Sequence, residues 1–399
     1  MMHDHQVLIP AAFVSRPNRF VTKAVMGDAV VTCHMPNPGR MWELLYEGTR
    51  LYLRKAKDPA RKTPYDVVGI ERDGVPILLD TQYNNDVAEY LIRNHLIPGW
   101  ESCRVVKREV TVGDSRFDLL LEQEGQPFYV EVKSCTLFGR KGAMFPDAVT
   151  ERGRKHIEEL AAMHDEGIRT GLLILAHWNR AEWFLPDYHT DPAFAEAFRR
   201  CAPRLDWKAF SLSWDKTFTY PEPGKLLMYP ETLLAEENQD AGDYFVVLEL
   251  AENRDIAVGS LGKVHFPKGF YVYVGSAKKN LMKRLERHKR KRKGMHWHID
   301  YFRNEAKVLA ALPVRTQDDL EHLMARELIK AADWSISHFG ATDCPEDGSH
   351  LFGFIKNPLH EKGFMDIVER FRMNRLDARA VKEKRTHPVM TYRVGPCFI

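Results

Sequence analysis

The stretch Phe117–Cys135, FDLLLEQEGQPFYVEVKSC, decides how the chain is read. Two β-favourable runs, 117–122 and 128–134, flank a turn marked by Gly125 and Pro127. Branched and aromatic residues favour extended chain and Gly and Pro break it, so the segment predicts a hairpin. Charge sits where packing alone does not put it: Asp118 opens the first run, and Glu131 and Lys133 close the second. Side chains alternate along a strand, which puts Phe128, Val130 and Val132 on one face and Tyr129, Glu131 and Lys133 on the other. Antiparallel pairing brings Asp118 roughly opposite Glu131–Val132. Two carboxylates and an ammonium then converge on one patch.

That patch has a chemical use. Carboxylate oxygens hold Mg²⁺ or Mn²⁺, which keep several waters and bridge to phosphate. A bound metal acidifies water and neutralises charge that grows on a phosphodiester, and a neighbouring lysine stabilises the same charge. Asp118 and Glu131 are the expected ligands, Lys133 the expected catalytic cation, and Glu89 a further ligand from the preceding helix. Asp147, Glu151, Arg152 and Lys155 of FPDAVTERGRKH (145–156) add polar groups nearby. The same residues also fit a plainer reading: a Glu131–Lys133 surface salt bridge, with Asp118 capping a strand end.

Outward from the hairpin, residues 1–82 are β-rich and broken by PNPGRM and KDPARKTP, which suggests a small barrel of the OB type. Arg16, Arg19 and Arg40 lie there as candidate phosphate contacts. NNDVAEYLIRNHLI (84–97) and TERGRKHIEELAAMHDEG (150–167) predict amphipathic helices, the second capped by Thr150 and stopped at Gly167. GLLILA (171–176) predicts a buried strand. Strand, helix, buried strand is a crossover unit, so 83–232 is expected to be α/β with a mixed sheet. LLAEENQDAGD (233–243) reads as an acidic linker, 243–354 as a further small α/β domain, and 355–399 as an extension without a motif. In the helix predicted over 318–332, Leu320, Leu323 and Leu328 form the apolar side.

These motifs resemble a known family. SRFDLLLE, YVEVKSCTL, FPDAVTERGRKH and the upstream NPGRM are similar to the sugar fermentation stimulation proteins, over about the first 230 residues. The resemblance implies an OB-like domain followed by a PD-(D/E)xK nuclease-like domain, DNA binding, and regulation of sugar (maltose) utilisation. It places Asp118, Glu131 and Lys133 at the nuclease motif positions and Glu89 near the helix acid.

Farther on, YVGSA, RLERH, HWHIDY and SHLF over 243–354 resemble a GIY-YIG nuclease-related domain. That implies roles for Tyr273 in activating water, Arg284 in holding phosphate and Glu321 in holding one metal. FVV (245–247) stands where GIY is usual, leaving Tyr244 and Tyr271 as substitutes for the first tyrosine. HWHID (296–300) with Cys344 and His350 offers zinc-type ligands from distant segments, but suits a packed core as well, and zinc is not expected.

The whole chain of 399 residues carries a net charge of only +3, yet 278–293 (KKNLMKRLERHKRKRK) is strongly basic. Local basicity on a near-neutral protein predicts a polyanion-docking face. Lys278, Lys279, Lys283, Arg287, His288, Arg290 and Arg292 are its candidate contacts, with double-stranded DNA the expected partner. No apolar run is long enough to span a bilayer, and the six cysteines form no CxxC pair. A cytoplasmic protein is the expectation. The function expected is metal-dependent phosphodiester hydrolysis on DNA; the alternative is a DNA-binding regulator whose nuclease cores no longer cleave.

Overall fold

A computed structural model describes residues 7–58, 60–113, 115–291, 294–340 and 348–386. The chain divides into two compact units. One runs to Thr232 and is rejoined at Leu376, and the other spans Leu233–Arg375.

The first unit opens with β1 (Ile9–Asn18), β2 (Val21–Met26), β3 (Ala29–His34), β4 (Arg50–Lys55), β5 (Tyr65–Arg72) and β6 (Val75–Leu78). They form a sheet in the order β3-β2-β1-β4-β5-β6. A parallel pairing of β3 with β5 closes the first five strands into a barrel. The alternation in sequence drives closure: in β2, Thr22 and Ala24 are buried while Lys23 and Val25 face out. Closure also removes open strand edges.

The chain then forms α1 (Asn84–Arg93), β7 (Arg104–Val112), β8 (Ser115–Gln123), β9 (Gln126–Cys135), β10 (Leu137–Phe138), β11 (Gly142–Phe145) and α2 (Glu151–Asp165). It continues through β12 (Arg169–Ala176), β13 (Trp183–Pro186), α3 (Pro192–Cys201), β14 (Asp206–Ser213) and β15 (Glu222–Leu226). Six of these strands make a mixed sheet, β15-β14-β12-β9-β8-β7. β8 and β9 are the expected antiparallel hairpin, and α2 is the crossover that returns the chain to β12, parallel to β9. Thr150 Oγ1 starts α2 by accepting the Gly153 N–H at 3.0 Å. Gly167, at φ +84, supplies the left-handed turn that ends the segment. Val87, Ala88, Leu91 and Ile92 of α1 pack with Leu119, Phe128, Val130 and Val132 on one side of the sheet. Ile157, Leu160 and Ala161 of α2 pack with Leu172 and Ile174 in a second cluster. Each of the Val, Leu, Ile and Phe side chains among them contributes ~1.5–3 kcal/mol by leaving water. These two layers fix the sheet that carries the hairpin.

α4 (Glu231–Glu237) lies where a linker was expected. Leu233, Leu234 and Glu237 are buried in it, because two adjacent leucines give a helix a face worth burying. The second unit continues with β16 (Gly242–Leu250), β17 (Arg254–Ala257), β18 (Lys263–Phe266), β19 (Gly269–Ala277), α5 (Leu281–Lys289), α6 (His298–Glu305) and β20 (Lys307–Arg315). α7 (Glu321–Ala331), β21 (Trp334–Ser335), β22 (Leu351–Phe354) and α8 (Lys362–Arg372) complete it. Its five-stranded sheet, β20-β16-β19-β22-β21, is antiparallel throughout. In α7 the inward stripe is Met324, Ala325 and Leu328, with Leu320 before it; Leu323 is 51% exposed and is not part of it. The tail is not a single extension. α8 belongs to the second unit, while α9 (Asp377–Thr386) is in the first, where Asp377 accepts from Trp183 Nε1 at 3.1 Å.

Candidate metal and nucleic-acid sites

The hairpin ladder ends at Leu119 paired with Val130. One step further lie Asp118 and Glu131, so the register puts the two acids at the same level. Beyond the ladder the Val132 N–H has lost its strand partner, and Asp118 Oδ2 accepts it at 2.8 Å. Asn85, in the first turn of α1, donates to Asp118 Oδ1 at 3.2 Å. Burial raises the Asp118 pKa above the ordinary aspartate value, and the charge of Glu131 pushes it the same way.

Glu131 is almost fully buried. Its Oε1 accepts from Lys133 Nζ and, at 2.6 Å, from His156 Nδ1 on α2. Burial alone would raise its pKa; the His156 hydrogen bond and the Lys133 charge outweigh burial, and the net shift is downward. Its other oxygen, Oε2, is buried without a hydrogen-bond partner. A buried anionic oxygen left bare is costly, so this atom asks for a cation. The plainer sequence reading holds in part: Glu131 and Lys133 do pair and Asp118 does cap a strand end, but Glu131 is buried and Lys133 only partly exposed.

Glu89 does not join this group. Its carboxylate is held by Arg93, at 2.6 Å, and by Arg108. Burial would raise its pKa, but the two guanidinium groups bring it below the ordinary value. The α1 residue that reaches Asp118 is Asn85, one turn earlier. His156 was missed by the sequence reading, although it ends the quoted FPDAVTERGRKH; only the packing of α2 over the hairpin reveals what it touches.

Two barrel arginines have structural duties instead of free guanidinium groups. Arg16 donates to the carbonyls of Gly39 (2.5 Å), Arg40 (2.9 Å), Asn37 (2.8 Å) and Arg19 (2.7 Å). Arg40 donates to the Asp147 carbonyl and to Thr190 Oγ1 at 2.9 Å. Together they tie the PNPGRM loop to itself and to FPDAVTERGRKH. A Cβ at Gly39 would lie 2.4 Å from Asp147 Oδ2, so a larger residue there would have to displace that carboxylate. Arg19 is exposed.

In the second unit, Tyr244 on β16 and Tyr273 on β19 have ring centres 6.4 Å apart. Tyr244 Oη lies 2.9 Å from His288 Nε2. Tyr271 instead donates to the Pro267 carbonyl at 2.5 Å and packs on Phe302, so Tyr244 is the tyrosine that accompanies Tyr273. Glu321, the first residue of α7, accepts from Ser276 Oγ at 2.6 Å and lies 3.3 Å from His350 Nδ1. Arg284 stacks on Trp297, with its guanidinium carbon 4.1 Å from the ring centre. Asp243, beside Tyr244, accepts the Leu320 N–H at 3.1 Å through Oδ2, and its Oδ1 is buried without a hydrogen bond. Burial and the nearby Glu321 raise its pKa to about 7, against the pull of the Leu320 N–H.

The basic segment divides. His288 is buried against Tyr244 and does not face solvent. Arg287 is paired in two-pronged fashion with the buried Asp300, at 2.6 and 2.8 Å. Lys278 pairs with Asp319 at 3.0 Å. Lys279, Lys283 and Arg290 are exposed and make no ion pair with a described residue. Arg292 and Cys344 lie outside the described residues. Of the zinc-type residues, His298 Nδ1 accepts from Gly340 N–H at 3.2 Å and Asp300 is taken up by Arg287.

Among the described residues, no three His, Cys, Asp or Glu side chains form a ready metal cluster, and no helix is long and apolar enough to cross a membrane. Comparison with known proteins assigns the three parts separately. Residues 14–79 match the SfsA N-terminal OB domain, 82–216 the sugar fermentation stimulation protein RE domain, and 243–373 a domain of unknown function, DUF123. The sugar fermentation stimulation protein homolog of Methanothermobacter thermautotrophicus is 39% identical over 189 residues, covering 47% of this chain and 79% of that protein. The homolog of Clostridium perfringens strain 13 is 40% identical over 199 residues, covering 50% and 86%. The structure of Pyrococcus furiosus SfsA in complex with Ca²⁺ superposes with a TM-score of 0.52 at 29% identity, over 56% of this chain and 95% of that one. Identity and coverage of that order, over an OB barrel and the mixed sheet beside it, make this chain a member of the sugar fermentation stimulation protein family that also carries a DUF123 domain.

Proposed function

We propose that the protein binds double-stranded DNA and hydrolyses phosphodiesters at a PD-(D/E)xK-type site built from Asp118, Glu131 and Lys133. The observation that carries this reading is the bare Glu131 Oε2, buried at the level of a second carboxylate, Asp118, whose pKa burial and the Glu131 charge both raise. A divalent cation relieves both costs. The donors are hard oxygens, which suits Mg²⁺ or Mn²⁺, and two protein carboxylates suffice because these ions retain waters. The Pyrococcus furiosus relative was solved in complex with Ca²⁺, which supports divalent-cation binding by this kind of protein. When bound, the ion supplies Lewis acidity toward phosphate and water. The protein's own part is to hold Asp118 in place through Val132 and Asn85, to hold Glu131 through His156, and to keep Lys133 within reach of a phosphate.

The test is nicking of supercoiled plasmid with Mg²⁺ or Mn²⁺. Nicking that disappears in Asp118→Ala supports hydrolysis. A wild-type protein that binds DNA in a salt-sensitive way yet never nicks it refutes hydrolysis.

A second reading, a DNA-binding regulator of sugar genes without cleavage, is favoured by one observation: Lys133 Nζ donates to Glu131 Oε1 and so is not directed at a water. For the second unit we propose a GIY-YIG-related site, with Tyr273 and Tyr244 beside Arg284 and Glu321. Lys279, Lys283 and Arg290 are its exposed phosphate contacts, and Arg19 is a separate exposed contact on the barrel of the first unit. Their charge neutralises the backbone whichever chemistry holds.

A further inference from the structure

The two oxygens of Glu131 are treated unequally. Lys133 and His156 both converge on Oε1, while Oε2 is bare. His156 sits on α2, one helical turn after Arg152, whose Nε lies 3.4 Å from His156 Nε2. A guanidinium N–H can only donate, so Nε2 accepts and the imidazole proton is on Nδ1. That proton is directed at Glu131 Oε1. Lysine is a flexible point charge that a phosphate can draw away, whereas a histidine buried between helix and sheet keeps its place.

We propose that His156 is the positioning residue of the metal site. It pins Glu131 through Oε1, so that Oε2 is presented to the cation and Lys133 is free to leave Glu131 for an incoming phosphate. Arg152 sets the tautomer that makes this possible. The inference rests on the reading of Asp118 and Glu131 as metal ligands. It adds that the carboxylate binds through one defined oxygen and that a residue on α2 decides which one. Partners of this kind, behind a ligand, typically change metal affinity ~10–100-fold when removed.

The test is Mn²⁺ affinity, read by electron paramagnetic resonance of free Mn²⁺ on the full chain. A Glu321→Gln background silences the second unit. The variants are His156→Ala, His156→Phe, His156→Asn and Asp118→Asn. The expected result is a ~10–100-fold weaker affinity for His156→Ala and His156→Phe, with recovery in His156→Asn, whose amide restores a donor near the Nδ1 position. If His156→Ala does not fold, the Phe and Asn variants, similar in occupying the site but differing in the donor, carry the comparison. Affinity in His156→Phe equal to that of the parent overturns the positioning role while Asp118→Asn still abolishes binding. A parent protein that binds no more Mn²⁺ than Asp118→Asn overturns the metal site and the inference with it.

Discussion

The Val132 N–H donates to Asp118 Oδ2 across 2.8 Å, one step past the last paired residues of the hairpin. Asp118 therefore has a structural duty beside its proposed one as a metal ligand, and two substitutions separate them. Asp118→Ala leaves a buried N–H without an acceptor and is expected to cost ~1–3 kcal/mol in urea unfolding. Asp118→Asn keeps an acceptor and is expected to stay within ~1 kcal/mol of wild type while losing the metal. Equal destabilisation by both contradicts this division.

Cation binding to the folded state alone raises stability by mass action. At a Mn²⁺ concentration of ~100 Kd the gain is ~2.7 kcal/mol. The melting temperature of wild type is expected to rise on adding Mn²⁺ and fall back with EDTA, and that of Asp118→Asn to stay level. A rise of the same size in both would place the ion elsewhere.

Arg16 and Arg19 are close in sequence and opposite in role. Arg16→Ala strips donors from four backbone carbonyls and is expected to destabilise the barrel by ~2–4 kcal/mol, since each charge-assisted bond carries ~1.5–3 kcal/mol. Arg16→Lys rescues little, because an ammonium cannot replace the guanidinium fork. If Arg19 is a phosphate contact as proposed, Arg19→Ala is expected to leave unfolding unchanged and to weaken DNA binding. The reverse pattern in denaturation and gel-shift measurements would overturn the assignment.

On α5 and its flanks, the exposed cations are expected to set the salt dependence of the proposed DNA binding. Each of Lys279→Ala, Lys283→Ala and Arg290→Ala is expected to reduce the slope of log K against log salt by about 1. Arg287→Ala is expected to act on stability instead, through the buried Asp300. Fluorescence anisotropy across a salt series reads the difference; unchanged slopes in all three variants would remove this face from the interface.

Asp243 gives the second unit a pH signature. Its pKa is raised by burial and by Glu321 to about 7. The folded state therefore holds a proton that the unfolded chain releases. That contribution is full below pH ~4 and is lost as pH rises through ~7. Its ceiling is ~4 kcal/mol at 1.36 kcal/mol per pH unit. Asp243→Asn is expected to flatten the decline between pH 5 and 8 and to be more stable than wild type at pH 8. A wild-type stability that rises across that window faster than the variant's would refute it.

Much of this was legible in the residues. FDLLLEQEGQPFYVEVKSC specified a hairpin whose period of two sets Glu131 and Lys133 on one side, and Thr150 and Gly167 marked the ends of α2 because caps and left-handed turns are local chemistry. The charge of α5 was equally plain, but not its division. Only packing shows that Arg287 reaches Asp300, that His288 is sealed against Tyr244, and that Leu323 faces out.

By itself the sequence determined α1, α2, β12, the antiparallel pairing of β8 with β9 and the acids that pairing brings level, but not α4 or the split of the tail into α8 and α9. Local conformational preference and alternation act within a few residues and need no partner. The tertiary structure decided which groups those acids meet: Asn85 rather than Glu89 at Asp118, His156 at Glu131, and backbone carbonyls rather than phosphate at Arg16. Those contacts join segments ~20–33 residues apart, and their distances follow from how helices and loops settle on the sheet.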